Sequence, residues 1–334
     1  MIKLIAETAW HHEGDFIFMK NLISDIINKT KTDIIKMHVT LDLDEYMDSN
    51  HELFEKLKSM VFSKEQWQEL ISMVKESDKD LMLLTNDTTA IKYASIFKPE
   101  YIELHSTCLN VPTLQNTVLD KLSEDTKIVI GVGGSTLKEI DRAIKTFENR
   151  KIILMFGFQN YPTKYEDVNI LKIRKIQSLY PNKIFGYADH TAWNEANNEL
   201  ITLLGAANGM SFVEKHVTNV FGQERIDFSA AISIEMFNSL NDKLKLLNQI
   251  HGDGLLKLND GEKSYSIYGP MKLAPIARFE MKEGHIISLE DISFKRTKEK
   301  TDLSQVDTMN LMGKTLIKSI STNEILNSSH FDII

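Results

Sequence analysis

The chain has 334 residues, 42% of them hydrophobic and 26% charged, which allows one large α/β domain or two domains and excludes disordered, collagen-like and coiled-coil chains. With 39 Lys+Arg against 47 Asp+Glu, the net charge of -8 is the opposite of a nucleic-acid-binding footprint, so no nucleic acid and a small-molecule ligand are expected. The single cysteine, Cys108, can form neither an internal disulfide nor a Cys-rich metal site; with no signal-peptide pattern and no run of membrane-spanning length, a cytoplasmic protein without a membrane partner is expected.

In chain order, short apolar runs at 3–7, 33–39, 81–84, 101–105, 127–132, 151–157, 184–188 and 211–216 read as strands. They are near-continuous in Ile, Leu, Val and Met, the pattern of strands covered on both faces. Helical periodicity falls between them, clearest at 15–29, 64–77, 135–149, 169–180 and 194–207, with Asp15 and Ser135 expected as caps. Eight β-then-α units over about 250 residues is the arithmetic of an α/β fold of the (β/α)8 TIM-barrel type, with a doubly wound open sheet as the alternative. After a helical stretch at 234–250, the polar residues 256–270 read as a linker. That divides the chain into a barrel domain over 1–255 and a small mixed domain over 271–334, a size that is marginal alone.

In such a barrel the reactive groups sit where strands end, because the βα loops build that face. Strand one ends at Glu7 with His11 and His12 beyond it, strand two carries Lys36 and His38, and strand four ends in Glu103-Leu104-His105. Asp189-His190 follows strand seven, and Glu214-Lys215-His216 closes strand eight, so six of the 10 histidines fall at or just past strand ends. His190 and His216, one βαβ step apart, can converge on one ion with open positions for water or substrate; alternatively, His190 simply hydrogen-bonds its loop. Glu7 is either a strand-end carboxylate paired with Lys36 or a catalytic group. Lys36, flanked by Ile34, Ile35 and Met37, must be paired or must meet an anionic ligand, since an unpaired buried charge is costly. The Gly131-Val132-Gly133-Gly134-Ser135 stretch can hold an anion at a helix start, or can be a tight βα turn that needs glycine for its own geometry. The acidic insertion at 40–62 reads as a solvated face.

Taken together, the motifs resemble those of the sialic acid (nonulosonate) synthase family. Ala6-Glu7-Thr8-Ala9-Trp10-His11-His12-Glu13-Gly14-Asp15 is similar to its opening "AE-x-x-x-NH-x-GD", and Ile35-Lys36-Met37-His38 to "VKFQ". Asn160-Tyr161-Pro162-Thr163 resembles "YPT", Gly186-Tyr187-Ala188-Asp189-His190-Thr191 resembles "G-x-SDHT", and Val213-Glu214-Lys215-His216 resembles "IEKHF". Lys282-Glu283-Gly284, Phe294-Lys295-Arg296 and Leu311-Met312-Gly313-Lys314 are similar to the family's antifreeze-like (SAF) domain.

The resemblance implies a transferase that condenses phosphoenolpyruvate with an open-chain N-acyl hexosamine or related aldose, giving a nine-carbon 2-keto acid and phosphate. It implies that His190 and His216 hold a divalent metal, Mn²⁺ foremost with Mg²⁺ or Zn²⁺ as alternatives, and that Glu7 handles the water adding at carbon 2. Lys36 would meet the anionic end of phosphoenolpyruvate, with Tyr161 and Glu214 lining the same pocket. Ser106, Gly133 and Gln159 would contact substrate, and Asp227 would bind the sugar. Arg296 would reach the sugar from the partner subunit of a domain-exchanged homodimer.

Departures bear on the donor. Glu103 stands where the family's "KI-x-S" keeps a lysine, Gly131-Val132-Gly133-Gly134 replaces "STGM", and Ala188 replaces a serine. Either the phosphate is held differently, by the Gly131 to Gly134 amides and His105, or the donor is no longer phosphoenolpyruvate. Two other readings therefore stand beside the synthase: a metal-dependent aldolase or lyase using a 2-keto acid, and a non-catalytic sugar-binding paralogue.

Overall fold

The computed structural model describes residues 1–157 and 160–332. They form two compact units, divided between Gly252 and Asp253.

The first unit is a closed parallel barrel. Its strands are β1 (Lys3–Glu7), β2 (Ile34–Val39), β3 (Asp80–Thr85), β4 (Tyr101–Leu104), β5 (Lys127–Gly131), β6 (Ile152–Phe156), β7 (Ile184–Ala188) and β8 (Phe212–Thr218). Each pairs with the next in parallel, and β1 pairs with β8 to close the ring, so the open-sheet alternative is excluded. A two-residue strand, β9 (Ile232–Ser233), adds to the end of β8. Side chains alternate between the inside of the barrel and the helix layer. Outward residues such as Leu4, Ile35, Leu83, Ile102 and Val213 share one core with the helices. Inward residues Ile5, Ile34, Met82, Tyr101, Val129, Ile153, Met155 and Phe212 fill the barrel as a separate apolar plug. Two residues further along β1, β2, β4 and β8, the same inward row turns polar: Glu7, Lys36, Glu103 and Glu214, all buried. That switch from apolar floor to charged layer places the site.

The helix Phe16–Lys29 is capped by Asp15, whose side chain accepts from Phe18 N–H, as expected. The cap expected at Ser135 is a correction. Thr136 caps Leu137–Thr146, closing a capping box with Glu139. The Gly131 to Gly134 turn therefore leads into a helix start at which Thr136 accepts from Glu139 N–H and Glu139 accepts from Thr136 N–H. The helix expected over 194–207 is shorter, Asn198–Ala206, because the Asn198 amide turns back to donate to the Thr191 and Ala192 carbonyls. In the acidic insertion, Asp42 caps the short helix Leu43–Tyr46 and Glu45 accepts from Thr88, so two of its acids organise structure.

The second unit contains the antiparallel pair β10 (Ala274–Ala277) and β11 (Ile292–Lys295) and its own apolar core, including Met281, Ile287, Leu316, Leu326 and Phe331. The stretch read as a linker carries a short helix, Asp260–Tyr265, capped by Asn259. Among the described residues no helix is long and apolar enough to cross a membrane.

Candidate active site

Register brings the charged row level. Glu7 on β1 stands opposite Lys36 on β2 on one side and His216 on β8 on the other. Ala188 on β7 pairs with Glu214. At the centre the Lys36 ammonium is met by three carboxylates: Glu7 at 2.8 Å, Glu103 at 2.8 Å and both oxygens of Glu214 at 3.0 Å. Burial opposes the charge on Lys36, but Glu103, Glu214 and Glu7 outweigh it and hold the ammonium well above its ordinary value. Burial and the neighbouring Glu7 push Glu214 well up. Burial likewise lifts Glu103 to about 7, against the pull of Lys36. Three ionised carboxylates around one ammonium would carry excess negative charge, and the raised values of two of them relieve it by retaining protons.

Above this layer lies a ring of imidazoles. His190 and His216 meet edge to face with centroids 4.8 Å apart. His11 packs on His216 at 5.8 Å and His38 on His105 at 6.4 Å. Burial keeps them neutral: His190 and His105 are lowered to about 4 and His216 far below its usual value. His38 Nε2 lies 3.2 Å from Glu7 Oε1. The Nδ1 of His190 is 3.1 Å from the Ala188 carbonyl, which can only accept, so Nδ1 carries the proton and Nε2 the lone pair.

Two buried neutral imidazoles with this spacing fit a divalent cation, and His216 Nδ1 is buried without a hydrogen-bond partner among the described residues. No three His, Cys, Asp or Glu side chains converge as metal ligands among the described residues. A cation held here would take two protein nitrogens and complete its shell from water or substrate. Behind His190, Asp189 and Lys215 form a fully buried ion pair at 2.7 Å. The Asp189 carboxylate also accepts from Thr191 and Thr202, fixing the turn that carries His190.

The cavity enclosed by these groups has a volume of about 330 Å³. Of the residues expected at the site, Glu7, Lys36, Ser106, Gly133, Tyr161, His190, Glu214, His216 and Asp227 all line it. Tyr161, preceding a cis proline, donates its hydroxyl to the Asp227 carbonyl and accepts from Ala230 N–H at 3.2 Å. Asp227 sits at φ 63° and its carboxylate accepts from Trp10 N–H at 3.1 Å, tying the β8 loop to the β1 loop. Gly131 is required where it stands, since a Cβ there would lie 2.8 Å from Ser106 N. Gln159 lies outside the described residues. Arg296, in the second unit, donates to the Pro270 carbonyl at 2.9 and 2.5 Å.

Sequence reasoning did not single out Trp10 as a wall of the cavity. Nor did it find Arg225, whose guanidinium donates to the His11 and His12 carbonyls and covers the Phe18 ring at 3.9 Å. Trp10 was legible as a large aromatic between Glu7 and the histidines. Arg225 carried no signal, because its partners are backbone oxygens of a distant loop.

Comparison with known proteins agrees with the geometry. Residues 25–255 match the NeuB family. An uncharacterized protein of Methanocaldococcus jannaschii is 28% identical over 88% of this chain and 84% of its own. The N-acetylneuraminate-9-phosphate synthase of Drosophila melanogaster is 22% identical over 98% of this chain and 95% of its own. Among solved structures, the spore coat polysaccharide biosynthesis protein E of Chromobacterium violaceum superposes with a TM-score of 0.82 at 16% identity, covering 100% of both chains.

Proposed function

Since the chain belongs to the NeuB family, we propose that it condenses phosphoenolpyruvate with the open-chain aldehyde of an N-acyl hexosamine or related aldose, forming a nonulosonic 2-keto acid and phosphate. The observation that carries this reading is the juxtaposition of the Glu7, Lys36 and Glu214 layer with the His190 and His216 pair at the strand ends of one cavity. A divalent cation bound by that pair, Mn²⁺ foremost, would supply Lewis-acid polarisation of the aldehyde. The chain's own groups do the rest. Glu7, held between Lys36 and His38, takes the proton from the water that adds at carbon 2. Lys36 holds the anionic end of the donor, and Glu214 keeps that lysine in place. Tyr161 and Asp227 orient the sugar from the β6 and β8 loops, and Ser106, Gly133 and Gln159 complete the substrate contacts. Arg296, carried by an antifreeze-like domain, reaches the sugar in the partner subunit of a domain-exchanged homodimer.

The test is phosphate release on mixing the protein with Mn²⁺, phosphoenolpyruvate and a panel of aldoses. Release that requires an aldose supports the reading, and no release with any sugar overturns it. His190→Ala and His216→Ala proteins that retain the wild-type metal content would remove the metal pair. A second reading, a metal-dependent aldolase or lyase acting on an unphosphorylated 2-keto acid, is favoured by Glu103, which places a third carboxylate on the one lysine of the described lining. Pyruvate-dependent turnover of the same aldoses without phosphate would select it.

A further inference from the structure

An anionic donor entering this cavity faces an electrostatic problem. The described lining contains Glu7, Glu103, Glu214 and Asp227 against Lys36, with no arginine and no second lysine. Lys36 has three N–H donors, and three carboxylates already surround it at 2.8 to 3.0 Å. The three are not held alike. Glu214 grips the ammonium through both oxygens, each in an aligned hydrogen bond. Glu7, like Glu103, meets Lys36 as an ion pair without an aligned hydrogen bond, but it stands in register with Lys36 and also faces His38 at 3.2 Å. Glu103 reaches Lys36 with one oxygen, Oε2, which makes no aligned hydrogen bond among the described residues. It stands on β4, whose strand end leads into Ser106, and next to β5, which ends at Gly131.

We propose that Glu103 controls entry to the donor subsite: the anionic end of the donor reaches Lys36 as the Glu103 carboxylate releases that ammonium and takes a proton from solvent. The inference rests on the proposed reaction only in needing a three-carbon anionic acid as donor. Among the described residues, the other titratable groups near Glu103 are unsuited to the role. Lys36 stays charged, Glu7 is shared with His38, and Glu214, although burial and Glu7 also push it well up, keeps both oxygens on Lys36. His38 and His105 are kept neutral by burial, and burial pushes the Cys108 thiol up to about 11. Glu103 itself, raised by burial to about 7, is poised to change protonation in the neutral range. Donor binding should therefore weaken as pH rises through about 7, by about tenfold for each further pH unit.

The measurement is calorimetric titration of the protein, as isolated, with phosphoenolpyruvate and with pyruvate near pH 8 in buffers of different ionisation enthalpy. Uptake approaching one proton per donor is expected for the wild type. Glu103→Gln, isosteric and neutral, should bind about tenfold more tightly near pH 8 and show little proton uptake. Its advantage should vanish near pH 6. Binding of either acid without proton uptake, or a Glu103→Gln protein matching the wild type at both pH values, overturns the inference and leaves the proposed reaction standing. Proton-coupled binding without phosphate release in any turnover assay supports the inference and overturns the reaction. No binding of either acid overturns both.

Discussion

At the scale of single residues, the site is a solution to burying a lysine. Removing Lys36 would leave Glu7, Glu103 and Glu214 facing one another without a cation, and an orphaned buried charge costs about 3–5 kcal/mol. A Lys36→Met protein should show that loss in chemical denaturation near neutral pH, with a smaller deficit in acid, where the carboxylates are neutral anyway; an unchanged midpoint would contradict the pairing. Glu103 adds a pH signature of the opposite kind to a salt-bridged acid. Its folded value, about 7, lies above the ordinary 4.5, so the folded state holds the proton more tightly and this group's contribution is lost as pH rises between those values. Glu103→Gln should therefore gain stability relative to wild type as pH rises from about 4.5 to 7, and a flat difference would refute it. The residue types were readable in advance, since a lysine among Ile34, Ile35 and Met37 announces a partner. Glu7 was readable as one partner; Glu103 and Glu214 were not. Glu103 is 67 positions from Lys36 in the chain, and only barrel closure brings β4 and β8 to β2.

At the scale of elements, strand ends and the turns beyond them set the site. All eight barrel strands were legible because buried parallel strands are written as continuous apolar runs. Boundaries shifted where a side chain competes with the backbone, as Thr136 does for the helix at Leu137 and Asn198 for the helix it opens. The β6 and β7 ends approach so closely that a Cβ on Gly157, at φ +112°, would lie 2.1 Å from the Ala188 carbonyl oxygen. That oxygen also fixes the His190 tautomer. Gly157→Ala should cost on the order of 2–4 kcal/mol and lower divalent-ion affinity together with stability; a thermal melt and a metal titration would show both. Asp189→Ala, which strips the buried Lys215 of its carboxylate, should destabilise by about 3–5 kcal/mol. A change in melting temperature within error would show the pair to be dispensable.

At the scale of the molecule, the chain consists of two units, each with its own apolar core. The polar stretch 256–270, read from the sequence as a linker, falls inside the second unit, which begins at Asp253, and residues 253–265 are exposed throughout. Limited proteolysis should cut first within that stretch and yield a fragment ending near Gly252 that keeps the barrel's cooperative unfolding; first cuts inside the barrel loops would contradict the division. The proposed reaction joins the methylene carbon of phosphoenolpyruvate to a sugar aldehyde in the cavity of the first unit. Phosphoenolpyruvate labelled with ¹³C at carbon 3, incubated with Mn²⁺, aldose and protein, tests it most directly by NMR. A shift of the labelled methylene carbon from a vinyl to an aliphatic position, with one-bond coupling to the aldehyde carbon when the aldose is ¹³C-labelled at carbon 1, and with one phosphate released per bond, is the expected result, all of it lost in Glu7→Gln protein that still folds. Label that stays in phosphoenolpyruvate, while ¹³C-labelled pyruvate supplied in its place enters product with no phosphate formed, would contradict it.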